Sequence, residues 1–167
     1  DLYLLTNRVE DPKGGLADLP VEFHRPGVPT LLPGYERYYG IWSVDFDNWG
    51  VSTEGRPDIL FRNDGVDAKG HVKFTDVTST SGIEGRGDGL SCVWFDADQD
   101  GDCDLYVCND FISPDRYYIN HGDGTFSNQI SESMQHTTWF SMGSHFGDLD
   151  NDKDFVLLVA DMAATSH

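Results

Sequence analysis

The stretch "DADQDGDCDL", residues 96–105, carries aspartates at 96, 98, 100, 102 and 104 with a single glycine, Gly101, among them. Ionised carboxylates that close repel one another unless a positive charge sits between them. Oxygens at alternate positions suit a calcium ion, which takes six to eight of them at roughly 2.3–2.6 Å. Gly101 permits the backbone reversal that would fold the carboxylates around one point. An EF-hand begins the same way but needs a glutamate at its twelfth position, where Val107 stands. It also needs flanking helices, whereas residues 92–95 and 105–108 read as strands. The stretch therefore predicts a calcium loop between two antiparallel strands, closed by the carboxylate of Asp104.

Working outward, the chain repeats itself. "DLYLLTNR" from Asp1, "DILFRNDG" from Asp58, "DLYVCNDF" from Asp104 and "VLLVADMA" from Val156 each read as a short apolar strand, aligned on their first residues. Acidic turns precede the last three, in "SVDFDNWG", "VWFDADQDG" and "HFGDLDND". A phenylalanine lies 22 residues upstream of each of two turns, Phe74 before Asp96 and Phe126 before Asp148. The pieces between these landmarks are rich in Val, Ile, Phe, Tyr and Trp and bounded by Gly, Asp and Asn. Helical periodicity is missing, except for a turn or two over residues 127–136. Several short strands per unit, repeating every ~45–55 residues, predict an all-β fold made of β-propeller blades.

Composition agrees. The chain has 167 residues, 38% of them hydrophobic, which allows a real core. Its 23 Asp against 6 Glu place the acidity in turns, because Asp competes with the backbone for hydrogen bonds. A net charge of −18 argues against nucleic acid as a partner. No apolar run approaches the ~18 residues of a membrane helix, so membrane insertion is not expected.

The D-x-D-x-D-G-x-x-D-L loop, the following D-L-Y-V-x-N-D strand and the "NHGDGTF" turn resemble FG-GAP/VCBS repeats. These build the calcium-bearing propellers of integrin α chains and many secreted bacterial proteins. Residues 141–167 look closer still to bacterial propeller proteins with ASPIC/UnbV-type regions. The resemblance implies about three repeats of a partial or open propeller: 1–39 (a blade end plus a Pro-rich insertion over 8–39), 40–88, 89–138 and 139–167. It also implies a ligand set: side chains at loop positions one, three, five and nine, with a backbone carbonyl at seven. Here these are Asp96, Asp98, Asp100 and Asp104, with the carbonyl of Asp102. A second loop supplies Asp148, Asp150 and Asp152, with Asp154 at seven. Lys153 replaces its glycine and Val156 its closing aspartate, so weaker binding is expected. A third, degenerate loop keeps Asp45 and Asp47, with Trp49 in place of the third aspartate and Asp58 beyond.

The function expected is a calcium-bound structural or protein-interaction scaffold. Its location would be secreted, periplasmic or at the cell surface, where calcium is abundant enough to fill sites of ~10⁻⁴–10⁻³ M affinity. No catalytic constellation is visible: there is no G-x-S-x-G, and the six histidines lack metal-ligand spacing. The alternatives are a lectin-like or adhesive module using Trp42, Trp94 and Trp139, and part of a propeller enzyme whose active site lies elsewhere. The partner, protein or glycan, is unnamed by these residues. Three repeats are too few to close a propeller, which predicts a longer chain or covering subunits. Arg86-Gly87-Asp88 stands directly before a strand and is read as a chance match. A hairpin with Phe95 opposite Leu105 would set Cys92 opposite Cys108, allowing a cross-strand disulfide; otherwise both thiols are buried.

Overall fold

The computed structural model describes residues 1–6, 21–22, 28–36, 39–43, 48–53, 55–84, 86–110, 113–152 and 155–162. The elements are nearly all strands, joined into small antiparallel sheets in keeping with open propeller blades. Contacts divide the chain into two compact units, Arg8–Arg56 and Asp1–Asn7 with Pro57–His167.

Both units are easiest to follow in chain order, starting with β1 (Leu2–Leu4) in the larger one. The smaller unit then holds two hairpins, β2 (Val21–Glu22) with β3 (Thr30–Leu31) and β4 (Tyr39–Ser43) with β5 (Trp49–Thr53). The larger unit resumes with β6 (Ile59–Val66), β7 (Val72–Asp76) and a single helical turn, α1 (Thr78–Ser81). It continues with β8 (Gly89–Phe95), β9 (Asp104–Asn109), β10 (Arg116–Asn120), β11 (Phe126–Asn128) and α2 (Ile130–Ser133). It closes with β12 (Ser141–Gly147) and β13 (Val156–Asp161). The helical turn expected within 127–136 is α2; α1 was not anticipated.

Three sheets result in this unit, ordered β1-β6-β7, β11-β10-β9-β8 and β12-β13. The four-stranded sheet packs on both faces, and β9 shows why its sequence is apolar from Leu105 to Cys108. Successive side chains of a strand point to opposite faces. Leu105 and Val107 join one core with Tyr3, Leu60, Ile83, Tyr118 and Phe126. Tyr106 and Cys108 join the other with Phe95 and Tyr117, against Phe146, Leu157 and Val159 of the third sheet. Every residue of β9 is buried.

Register corrects the cysteine expectation. Phe95 pairs with Asp104, not Leu105, and Cys92 pairs with Val107. A slip of one residue moves side chains to the opposite face. Cys92 accordingly packs in the first core and Cys108 in the second, and all three cysteines are free thiols.

The repeat is confirmed, with one realignment. "DILFRNDG" is the counterpart of "DRYYINHG" in β10, not of the β9 strand. The hydrogen bonds match one for one. Tyr3 Oη donates to Asp58 at 2.7 Å as Tyr106 Oη donates to Asp115 at 2.6 Å. The N–H groups of Thr6 and Asn109 donate to the same two carboxylates at 2.7 and 2.8 Å. Asn63 N–H reaches Asp1 at 2.9 Å, and Asn120 N–H reaches Asp104 at 2.9 Å. Thus β1, β6 and β7 correspond to β9, β10 and β11. Likewise β12-β13 corresponds to β8-β9, down to a register shift near the start of each leading strand, at Gly89/Ser91 and Ser141/Gly143.

Candidate metal centre

The loop between β8 and β9 is held at both ends by the sheet it leaves. Asp104 begins β9 and is buried, its Oδ2 accepting Ala97 N–H at 2.9 Å and its Oδ1 accepting Asn120 N–H at 2.9 Å. The Asn120 amide also donates to the Cys103 carbonyl at 3.1 Å. One aspartate thereby ties the loop entry, the loop exit and β10 together. Burial raises the pKa of Asp104, the two N–H donors lower it, and the charges of Asp98 and Asp100 raise it again, for a net rise.

Within the loop each ligand candidate is braced by a backbone donor. Asp96 Oδ2 accepts Gly101 N–H at 3.1 Å, Asp98 Oδ1 accepts Asp100 N–H at 3.2 Å, and Asp100 Oδ1 accepts Asp102 N–H at 2.9 Å. These short turns need left-handed backbone at Gln99 (φ 63°) and Gly101 (φ 99°), the second natural for glycine. Asp96, Asp98 and Asp100 each bring a carboxylate oxygen within 4.8 Å of the others. Two oxygens on one calcium ion lie at most about 5 Å apart, twice the bond length, so one ion can touch all three. Asp96 Oδ1 is buried and lacks any hydrogen-bond partner. Such an orphaned acceptor is costly unless a cation meets it. The donor set is hard oxygen throughout, which fits calcium better than a softer metal. Strands flank the loop on both sides, as the sequence predicted against the EF-hand alternative.

The second loop copies the first part of this arrangement. Asp148, Asp150 and Asp152 also bring oxygens within 4.8 Å of one another, and Asn151 (φ 63°) repeats the backbone of Gln99. Asp148 Oδ1 accepts Asn151 N–H at 2.7 Å. The closing position is Val156, exposed at the start of β13. Lys153 and Asp154 lie outside the described residues.

Of the third predicted loop, Asp45 and Asp47 lie outside the described residues. Asp58 is placed in a different role. It is buried, accepts from Tyr3 Oη, Thr6 N–H and Thr6 Oγ1, and belongs to neither acidic cluster found among the described residues. Burial raises its pKa against the lowering effect of those donors. Asp115 is the matching hub one sheet later, and it also accepts Ser141 Oγ from β12 at 2.6 Å. Both hubs escaped the sequence reading. The signal available was D-x-x-x-x-N-x-G, shared by residues 58–65 and 115–122 but not by residues 104–111.

The tryptophans divide. Trp94 packs edge-on against Tyr3 and Phe126 at centroid distances of 6.5 and 6.1 Å, a core role. Trp139 is exposed, and the side chain of Trp42 lies outside the described part. Arg86 forms an isolated bridge to Pro57 and Gly87 is buried, so the Arg-Gly-Asp run is part of the fold. No helix among the described residues is long and apolar enough to cross a membrane.

Residues 96–159, spanning both acidic loops, match the model of an FG-GAP-like repeat. The match concerns the repeat and carries no information on ASPIC/UnbV-type regions. The chain matches no curated protein and no solved structure.

Proposed function

We propose that this chain, whose residues 96–159 match the model of an FG-GAP-like repeat, is a β-propeller-like repeat module that binds calcium and serves as an extracellular scaffold. The observation that carries the calcium reading is the buried, partnerless Oδ1 of Asp96 beside the oxygens of Asp98 and Asp100. Those three side chains, with Asp104 at the closing position and the carbonyl of Asp102, are the residues that would hold the ion. When bound, calcium supplies the positive charge that cancels the repulsion among the carboxylates. The chain's own residues do the rest. Asp104 anchors the loop to β10, and the backbone donors aim each aspartate inward. The output is mechanical: β8 and β9, the pair packed on both faces, are fixed at their open end.

Calcium near a millimolar outside cells matches the weak affinity of extracellular modules and favours a secreted, periplasmic or surface setting. A fixed, cation-dependent blade suits a protein-binding scaffold rather than a reaction centre. The test is calorimetric titration of the chelator-stripped protein with calcium, beside the Asp100→Ala variant. Saturable binding that weakens at least tenfold in the variant is expected. Binding that is absent in the wild type, or unchanged in Asp100→Ala, would reject the site.

A further inference from the structure

The loop between β8 and β9 is braced from outside as well as from within, and one side chain of another strand supplies much of that outer brace. Asn120, the last residue of β10, donates its backbone N–H to Asp104 Oδ1 at 2.9 Å and its Nδ2 to the Cys103 carbonyl at 3.1 Å. Its Oδ1 accepts Gly122 N–H at 3.1 Å. The amide thus stands between the closing residues of the loop and the turn that joins β10 to β11. Backbone donors inside the loop serve Asp96, Asp98 and Asp100. At the closing end, two of the bonds come from Asn120.

The turn meets the loop a second time. A Cβ at Gly122 would lie 2.5 Å from Asp102 Oδ2, so the Asp102 carboxylate rests against the bare backbone of that glycine. Asp102 N–H in turn holds Asp100 Oδ1. Residues 121–124 are exposed, yet the turn is stiffened from inside. Asp123 Oδ1 accepts Thr125 N–H at 2.9 Å and Thr125 Oγ1 at 2.6 Å, and His121 N–H donates to the Thr125 carbonyl at 3.0 Å. The first sheet repeats the clamp: Asn63 N–H reaches Asp1, and Asn63 Oδ1 accepts N–H from Gly65 at 2.8 Å. Gly65 (φ 82°) and Gly122 (φ 70°) share the left-handed backbone. The arrangement therefore belongs to the repeat unit and is no accident of one loop.

We propose that Asn120 is a positioning residue for the calcium site, and that through it occupancy of the loop is coupled to the order of the exposed turn 121–124. Partners that hold a ligand in place commonly govern metal affinity by 10–100-fold without touching the metal. Coupling of this kind is reciprocal: whatever the turn contributes to ion binding, ion binding returns to the turn. The scaffold thereby presents a surface turn whose order follows calcium, although none of the proposed ligands lies in it. The inference rests on the calcium reading of the loop.

The experiment pairs calorimetric titration of the chelator-stripped chain with amide hydrogen exchange, with and without calcium. Asn120→Ala keeps the backbone bond to Asp104 and should weaken calcium binding about tenfold. In the wild type, calcium should slow exchange at the Thr125 amide roughly fivefold or more. Its acceptor, Asp123, is untouched by the substitution, yet in Asn120→Ala that slowing should be lost even at saturating calcium. Should Asn120→Ala fail to fold, two glycine variants decide. Gly122 and Gly124 are both left-handed (φ 70° and 88°), so alanine strains the turn at either, but only a methyl at 122 meets Asp102. Gly122→Ala should therefore bind calcium at least about threefold more weakly than Gly124→Ala. A wild type that binds no calcium removes the site, and this inference with it. A wild type that binds calcium, with Asn120→Ala matching its affinity, the two glycine variants alike, or exchange in the turn indifferent to calcium, would overturn the coupling and leave the site standing.

Discussion

The two acidic loops share their first half and part company in the second. Residues 96–100 and 148–152 gather three aspartates to the same spacing over the same left-handed fourth residue. The first loop then closes on buried Asp104, which collects two backbone donors from two directions. The second ends at Val156, an exposed apolar residue with no carboxylate to offer. Clustering carboxylates is evidently a local matter that a short turn can achieve. Fastening the cluster to the sheet depends on one residue, and that residue separates the loops.

The largest effect expected from breaking this contrast is at Asp104. Asp104→Ala leaves the N–H groups of Ala97 and Asn120 without their acceptor, at a cost of about 2–4 kcal/mol. A fall of roughly 5–15 °C in melting temperature should follow. Val156→Ala in the other loop should stay within about 0.5 kcal/mol of wild type. Equal losses in the two variants would erase the distinction.

Chelation comes next. At a hundredfold excess over its dissociation constant, calcium held at the proposed site would stabilise the folded state by about 2.7 kcal/mol, so EDTA should lower the melting temperature and added calcium restore it. Asp100→Ala should remove most of that response, whereas Asp150→Ala should leave most of it intact. Val156→Asp sharpens the comparison from the other side: it should raise calcium affinity at the second loop, read as a second phase in calorimetry.

The hub at Asp58 gives a smaller, pH-dependent signal. Burial makes the folded protein favour neutral Asp58, whose pKa is raised. Between the unfolded value of 3.8 and the raised folded value, the folded state holds the extra proton. The contribution of Asp58 to stability therefore falls as pH rises through that window. Asp58→Asn should flatten this part of the pH–stability curve, and NMR titration of the Asp58 carboxyl should place its midpoint above 3.8. The smallest effect is none at all: with Cys92 and Cys108 on opposite faces, a reducing agent should leave the melting temperature unchanged.

Much of this was legible beforehand. Alternate aspartates, one glycine and flanking Val, Tyr and Leu announce a loop between strands, because spacing and local geometry decide it. Register was not legible. A shift of one residue between Phe95 and its partner depends on how Asp104 is anchored to Asn120, sixteen residues away. The roles of Asp58 and Asp115 were hidden for a related reason. An Asp that opens a strand beside an acidic turn and an Asp that receives a tyrosine hydroxyl look alike until the neighbouring strand is known.

Strand β1 pairs residue for residue with β6 across the whole span from Leu4 to Ile59, while the equivalent strands β9 and β10 are joined within residues 110–115. The entropy of closing a loop grows only logarithmically, about 0.6 kcal/mol for each doubling of its length. The β1-β6 pairing therefore accommodates a long connection where β9-β10 has a short one. That short connection, after Asn109, is the natural place for an engineer to graft a foreign domain.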